Sequence, residues 1–122
     1  MKVFISHSSN FDYKKSLYEP IKSHIGAAQE FIYPHDTDEI ANSKEAVISS
    51  DMVLAEVSYP STGQGIELGW ADEYGVPIVA IYQSGMRPSG ALSAVGVSPV
   101  GYDSVEQLLS VIQTAIDGLK TK

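Results

Sequence analysis

Glu67 is the side chain of this sequence with the clearest potential for chemistry. It follows the hydroxyl residues Ser61 and Thr62 and the glycines Gly63 and Gly65. Such small residues favour a tight loop that leads into a helix, and the glycines permit close backbone approach and positive φ. The N–H groups of a helix start favour an anion, so we expect Glu67 to lie there and to stay ionised at neutral pH. An ionised carboxylate beside a glycine-walled pocket can attack a sugar carbon, and a turn without a ligand is the structural alternative.

A polar loop near the N-terminus could complete such a site. Five consecutive polar residues follow the first apolar run of the chain. Their hydroxyl, amide and backbone N–H groups could bind an anion or a sugar. Helix capping by one or two of them is the alternative. They are Ser6, His7, Ser8, Ser9 and Asn10.

His35 follows the second apolar run. An imidazole at that point could protonate a base or contact a phosphate, and a solvent-exposed loop histidine is the alternative. The three histidines are scattered without metal-ligand spacing, and the chain has no cysteine. We therefore expect neither a metal nor another cofactor.

Charge and length restrict the partners and the architecture. The formal net charge is −7 and no cluster of lysine or arginine occurs, so we expect neither nucleic acid nor an anionic membrane as a partner. No apolar run approaches the ~20 residues that span a bilayer, and no signal-peptide pattern is present. We expect a cytoplasmic protein whose 122 residues form a single domain, residues 1–122.

Apolar runs alternate along the chain with segments of helical spacing. Pro20 should kink the first helix, and Pro99 suits an edge strand. The alternation predicts an α/β fold, a doubly wound (flavodoxin- or Rossmann-like) parallel sheet of about five strands flanked by helices. Ligands of such sheets bind beyond the carboxyl ends of the strands. The predicted strands are residues 2–6, 30–33, 52–57, 77–82 and 97–101, and the predicted helices are residues 12–25, 39–50, 65–74 and 104–119.

Residues 51–71 resemble the signature of the nucleoside 2-deoxyribosyltransferase family, in particular its branch of 2'-deoxynucleoside 5'-monophosphate N-glycosidases. The resemblance implies that Glu67 is the nucleophile. It would attack the anomeric carbon and displace the base, and water or a second base would resolve the sugar ester. The matching residues are Ala55-Glu56-Val57-Ser58, Pro60-Ser61, Gly63-Gln64-Gly65, Glu67-Leu68-Gly69 and Ala71.

The same resemblance implies how a nucleoside or nucleotide would be bound. Ser61 resembles a phosphate ligand of the glycosidase branch, and His35 lies where that branch tends to have a histidine. The later Leu92-Ser93-Ala94 is also similar to that branch. Family members complete each site with residues of a neighbouring subunit, so the resemblance implies a homodimer or higher homo-oligomer in which Ser93 is donated.

Two positions depart from the family's pattern. The family usually has an aspartate, which assists departure of the base, at the position of Ser43, and a tyrosine beside the nucleophile at the position of Phe4. Serine is a poor acid and phenylalanine has no donor, so we expect slow turnover of natural purine deoxynucleosides, with partial rescue at mildly acid pH. Substitute acids could come from the loop after the second strand; the candidates are Asp36, Asp38 and Glu39.

Two other functions stay open at this point. Residues 3–9 resemble the first strand and loop of the Toll/interleukin-1 receptor family, whose enzymatic members also direct a helix-borne glutamate at an N-glycosidic bond, that of NAD. The chain could also be a binding protein that kept the fold and lost the chemistry. The resemblance at residues 51–71 is longer than the one at residues 3–9, so we expect an N-glycosidase or transferase.

Three further residues are expected to be structural. Glu56 lies in a central apolar strand, where an unpaired carboxylate would be costly, so it should have hydrogen-bond partners. Trp70 and Tyr74 lie one helical turn apart. We expect them to pack in the core or in a dimer interface rather than to stack on a base.

Overall fold

The computed structural model describes residues 1–25, 29–35 and 43–120. Its centre is a sheet of five strands that all run parallel, in the order β2-β1-β3-β4-β5. The predicted doubly wound α/β fold is confirmed, and the strand order is flavodoxin-like. The strands are β1 (Lys2–His7), β2 (Glu30–Ile32), β3 (Met52–Glu56), β4 (Ile78–Gln83) and β5 (Val100–Tyr102).

Helical segments follow the strands and cover both faces of the sheet. A π-helical turn, Lys14–Tyr18, leads directly into α1 (Glu19–His24). A 3-10 helix, Gly90–Val95, lies between β4 and β5. None of the helices within the described residues is long and apolar enough to cross a membrane. The remaining helices are α2 (Ser43–Ile48), α3 (Thr62–Glu73) and α4 (Val105–Lys120).

Strand β1 separates two apolar clusters because successive side chains point to opposite faces of a sheet. Val3 and Ile5 pack with buried residues of α1 and α4. Phe4 packs on the other face, with buried residues of α2 and α3. By the same alternation Ser6 faces α3, and His7 faces the π-helical turn. The end of β1 therefore supplies polar groups to both faces.

Helix α3 begins earlier than the sequence predicts. Its first residue is Thr62, and the Ser61 side chain caps it by accepting a hydrogen bond from the Gln64 N–H at 3.3 Å. Gly63 and Gly65 thus lie inside the first helical turns. Neither glycine uses the positive φ that its lack of a side chain permits; the described residues with positive φ are Gly75, Gly85 and Gly96.

Other element ends also differ from the prediction. Pro20 stands at the second position of α1, where its missing N–H costs little. The turn before it is π-helical, with the Glu19 N–H donating to the Lys14 carbonyl. Strand β5 begins at Val100, directly after Pro99, rather than at residue 97. The predicted start of α2 at residue 39 lies outside the described residues.

Candidate active site

A cleft of about 380 Å³ opens beyond the carboxyl ends of β1 and β3, where the fold predicts a ligand. The loop after β1, the end of β2, the start of α2 and the first two turns of α3 all contribute to its walls. It brings together most of the polar residues that the sequence singles out. Its lining includes His7, Ser8, Ser9, Asn10, His35, Ser43, Ser61, Gly63, Gln64, Ile66, Glu67 and Trp70.

Glu67 lies half-buried in this cleft, and the Ser6 hydroxyl donates a hydrogen bond to its Oε1 at 2.8 Å. Burial raises the pKa of Glu67 to about 7, although the Ser6 hydrogen bond acts in the opposite direction. The expectation that Glu67 stays fully ionised at neutral pH is therefore wrong. Because α3 begins at Thr62, Glu67 stands in the second turn, and the helix dipole acts mainly within the first.

Ser6, not Phe4, is the β1 side chain beside Glu67. Phe4 is fully buried in the apolar cluster beneath α2 and α3. Ser6 lies two residues further along the same face of the strand, and it is also fully buried. A short hydroxyl from β1 therefore supplies the donor that Phe4 lacks.

Ser43 is the first residue of α2 and lines the same cleft as Glu67. The position where an acid is expected thus faces the site and carries only a hydroxyl. The candidate substitutes Asp36, Asp38 and Glu39 lie outside the described residues. Within the described part of the chain, the cleft has no carboxyl group other than that of Glu67 among its lining residues.

His7 is a structural residue of the cleft wall. It is buried, with Nδ1 at 2.7 Å from the Ser8 carbonyl oxygen and Nε2 at 2.5 Å from the Tyr18 hydroxyl. Because Nδ1 must donate to a carbonyl, Nε2 accepts from Tyr18. Burial lowers the pKa of His7 to about 4, so the ring is neutral at pH 7. Both ring nitrogens of His7 are hydrogen-bonded within the protein, which argues against the expected role of His7 in binding substrate.

His35 is exposed at the cleft, with its ring centroid 5.1 Å from that of His7. Its backbone N–H donates to the Tyr18 hydroxyl at 3.2 Å. Tyr18 therefore links the loop after β1 to the end of β2. The backbone of His35 is thus held at the cleft, where its exposed imidazole can reach a ligand.

The remaining predicted site residues occupy three different environments. Ser8 is buried, and its hydroxyl accepts from the Asn10 N–H at 3.0 Å. Gly65 lines a neighbouring apolar cavity of about 210 Å³, which shares Ser61 with the cleft. Ser93 is exposed on the 3-10 helix and donates to the Gly90 carbonyl at 2.9 Å, outside the cleft lining. Gly65 and Ser93 are thus not among the residues that line the cleft of their own chain.

Two comparisons with known proteins bear on this site, although no family model matches the chain. Over 88 residues the chain is 33% identical to a protein of Syntrophotalea carbinolica whose assigned name is that of a 2'-deoxynucleoside 5'-phosphate N-hydrolase. The match covers 70% of this chain and 57% of the relative, so the chain spans little more than half of the relative's length. The chain is therefore similar to the nucleoside 2-deoxyribosyltransferase-like family.

The fold is also similar to that of a solved structure. The structure of a CMP N-glycosidase from Clostridium botulinum superposes with a TM-score of 0.68, over 93% of this chain and 99% of that one. The two sequences are 19% identical, so this likeness concerns the fold alone. The named relatives are thus N-glycosidases or hydrolases of nucleotides.

Glu56 supports the cleft from below. Its Oε1 accepts from the Ser58 N–H at 2.6 Å and its Oε2 from the Tyr102 hydroxyl, so the expectation of hydrogen-bond partners is confirmed. Burial and the adjacent carboxylate raise the pKa of Tyr102. The Ser58 hydroxyl accepts from the Gln83 N–H at 2.7 Å. The network joins the ends of β3, β4 and β5 and fixes the strand end from which α3 departs.

Three lining residues on α3 were not among the predicted site residues. Trp70 packs partly against the apolar cluster, as predicted, but it also lines the cleft. Ile66 is 49% exposed and lines the cleft as well. The helical spacing from Glu67 could have indicated Trp70, since residues three or four apart share a face. No such spacing in the sequence indicates the contacts of Gln64, which is buried.

Proposed function

We propose that the protein cleaves the N-glycosidic bond of 2'-deoxynucleosides or their 5'-monophosphates, with Glu67 as a nucleophile that forms a covalent glycosyl ester. The observation that carries the proposal is the half-buried carboxylate of Glu67 in a polar cleft, with one oxygen held by Ser6. The second oxygen is sufficient to attack the anomeric carbon while the base departs. Water or a second base then releases the sugar.

The raised pKa of Glu67 favours this chemistry once the proton has left. A carboxylate with a pKa of about 7 is a stronger base than one of ordinary pKa, and a substantial fraction is ionised at neutral pH. Acid pH protonates this nucleophile. The expected rescue of purine substrates by mild acid is therefore opposed by the loss of ionised Glu67, and we propose a rate maximum near or above pH 7.

The proton for the departing base must come from a group other than a carboxylate at position 43. His35 is the titratable side chain of the cleft that is exposed to a ligand. We propose that His35 or a solvent molecule protonates the base. The reaction on purine deoxynucleosides should accordingly be slow, and it should be faster for leaving groups that need no proton.

An assay of base release decides between the candidate functions. The protein is incubated with deoxynucleosides, their 5'-monophosphates and NAD, and the free base or nicotinamide is quantified by chromatography. Release from a deoxynucleoside or deoxynucleotide that is lost in Glu67→Ala supports the proposal. Release from NAD alone supports the Toll/interleukin-1 receptor-like alternative, and binding without release of any base supports a binding protein.

A homodimer is part of this proposal, because Ser93 lies outside the cleft of its own chain. It is exposed beside the apolar cavity, and the α3 residues Ile66 and Tyr74 are 49% and 53% exposed. Such apolar surface is suited to contact with a second copy. Light scattering at micromolar concentration should give twice the monomer mass. A monomer at that concentration contradicts the proposed assembly.

A further inference from the structure

Gln64 joins three elements beneath the cleft. It is 4% exposed, and its side-chain Nε2 donates to the Ser6 carbonyl at 3.1 Å and to the Glu56 carbonyl at 2.8 Å. A glutamine amide carries two N–H donors, so both bonds can exist together. One side chain thus ties the first turn of α3 to the ends of β1 and β3.

The bond to Ser6 closes a cycle around the nucleophile. The Ser6 carbonyl accepts from Gln64, and the Ser6 hydroxyl donates to Glu67. Gln64 and Glu67 are three residues apart on α3, so they lie on the same face of that helix. Gln64 therefore sets the distance from β1 to α3 at Ser6, the residue whose hydroxyl contacts the Glu67 carboxylate.

We propose that Gln64 is a positioning residue for the nucleophile: it holds Ser6 against α3 so that the Ser6 hydroxyl stays bonded to Glu67. This inference rests on the proposed function for its catalytic meaning, but the geometry that it describes does not depend on turnover. Without the Gln64 amide, the end of β1 and the first turn of α3 can separate. The hydrogen bond to the carboxylate then lengthens, and the carboxylate samples other rotamers.

A purely structural role for Gln64 makes a different prediction. Loss of a buried amide would lower the stability of the fold and leave the environment of the Glu67 carboxyl as it is. The two roles separate if the titration of Glu67 is followed directly. The other titratable and charged groups on α3 and on the elements packed against it are Lys2, His7, Lys44, Glu45, Glu56, Asp72, Glu73 and Tyr82, and His35 lies across the cleft. Gln64→Met replaces none of them.

The first experiment is a carbon-13 NMR titration of the Glu67 side-chain carboxyl in the wild type and in Gln64→Met, which removes both donors at similar volume. The Ser6 hydrogen bond lowers the pKa of Glu67, so its loss should raise that pKa further, by about 0.5–1 unit. Gln113→Met is the matched control, since Gln113 is exposed on α4. An unchanged titration midpoint in folded Gln64→Met overturns the proposal.

A measurement on the wild type covers the case in which Gln64→Met does not fold. The two side-chain amide protons of Gln64 are hydrogen-bonded to buried carbonyls. They should therefore exchange with solvent far more slowly than the side-chain amide protons of exposed Gln113. Equal exchange rates for the two side chains overturn the proposal without any variant.

The second experiment measures base release from a deoxynucleoside. Gln64→Met should lower kcat by up to about 100-fold with KM nearly unchanged, because misplacement of a reacting group affects the chemical step. The acid limb of its pH profile should move to higher pH in parallel with the NMR titration. If the wild type releases no base, the proposed function fails while the NMR result still decides the positioning role. If the wild type is active and Gln64→Met keeps its kcat, the positioning role fails alone.

Discussion

The two sides of the cleft differ in how firmly their side chains are held. On the nucleophile side, formed by Ser6, Gln64 and Glu67, each side chain has a hydrogen-bond partner within the protein. On the acid side, formed by His35 and Ser43, the histidine is exposed and the serine is only half-buried at the start of a short helix. In the proposed reaction the fold therefore prepares the attack on the sugar, whereas protonation of the base depends on groups that the fold constrains less.

Removal of the proposed nucleophile should have the largest effect on this comparison. Glu67→Ala should lower turnover by about a thousandfold or more, which corresponds to ~4 kcal/mol of barrier. Initial rates of base release measure the effect, with unfolding curves to show that the variant is folded. Glu73→Ala, which changes an exposed glutamate of the same helix, is the control and should keep full activity. Near wild-type turnover in a folded Glu67→Ala protein contradicts the assignment.

The half-buried carboxyl of Glu67, on the nucleophile side, should also lower the stability of the folded protein once it is ionised. The pKa of Glu67 is about 7 in the folded protein, and the ordinary value of 4.5 applies to the unfolded state. The folded state therefore binds the proton more tightly than the unfolded state. The resulting stability is complete below pH 4.5 and is lost as the pH rises through 7. Glu67→Gln has no titratable carboxyl at this position, so it lacks this pH-dependent contribution to stability. Its stability relative to the wild type should increase by up to ~3 kcal/mol between pH 4 and pH 8.

Urea unfolding at a series of pH values tests this expectation. The curves of free energy of unfolding against pH should diverge for wild type and Glu67→Gln between pH 4.5 and 7. Glu73→Gln, on the exposed face of α3, should stay parallel to the wild type. Parallel curves for the wild type and Glu67→Gln would show that the Glu67 carboxyl titrates normally in the folded wild type.

The acid side should respond to a restored carboxylate. Ser43→Asp places a carboxyl in the wall that Ser43 shares with Glu67, and general acid catalysis contributes on the order of 10²-fold or more. Release of purines from deoxynucleosides should rise by about 100-fold. A deoxyriboside with 4-nitrophenol as the leaving group, which needs no proton, should gain little.

Ser43→Asn is the control for size and polarity at this position, and it should leave both rates unchanged. If Ser43→Asp has no effect and the wild type is already fast, a group such as His35 supplies the proton. If neither form releases base, the chain binds nucleosides without cleaving them. The ratio of the two rates therefore shows whether protonation or attack limits turnover.

The sequence was sufficient for the fold and for part of the cleft. Alternation of apolar runs with helical spacing determines a parallel sheet, and the carboxyl ends of its strands bring Glu67, His35 and Ser43 together. The state of Glu67 was not predictable in the same way. A start of α3 three residues earlier moves Glu67 out of the first turn, and its burial, which the sequence does not give, raises the pKa.

The contacts of Gln64 and Ser6 could not be predicted because they join three elements that are distant in sequence. The amide of Gln64 reaches carbonyl groups of β1 and β3, and no local pattern specifies that distance. For Ser6 a signal did exist, since Phe4 and Ser6 share a face of β1 by strand alternation. The family's pattern directed attention to Phe4, which is buried in the core.

The smallest expected effect concerns Ser61, which stands between the cleft and the start of α3. Its hydroxyl oxygen accepts from the Gln64 N–H at 3.3 Å, and a hydroxyl can still donate to a ligand. Ser61→Ala should weaken binding of a deoxynucleoside 5'-monophosphate by about 2–10-fold and leave the nucleoside nearly unaffected. It should also cost about 1 kcal/mol of stability through the lost cap. Ser61→Thr keeps the hydroxyl and should keep both properties. Calorimetric titration with the two ligands separates the roles, since equal weakening of both would mean that Ser61 acts on the cleft only through the helix that carries Glu67.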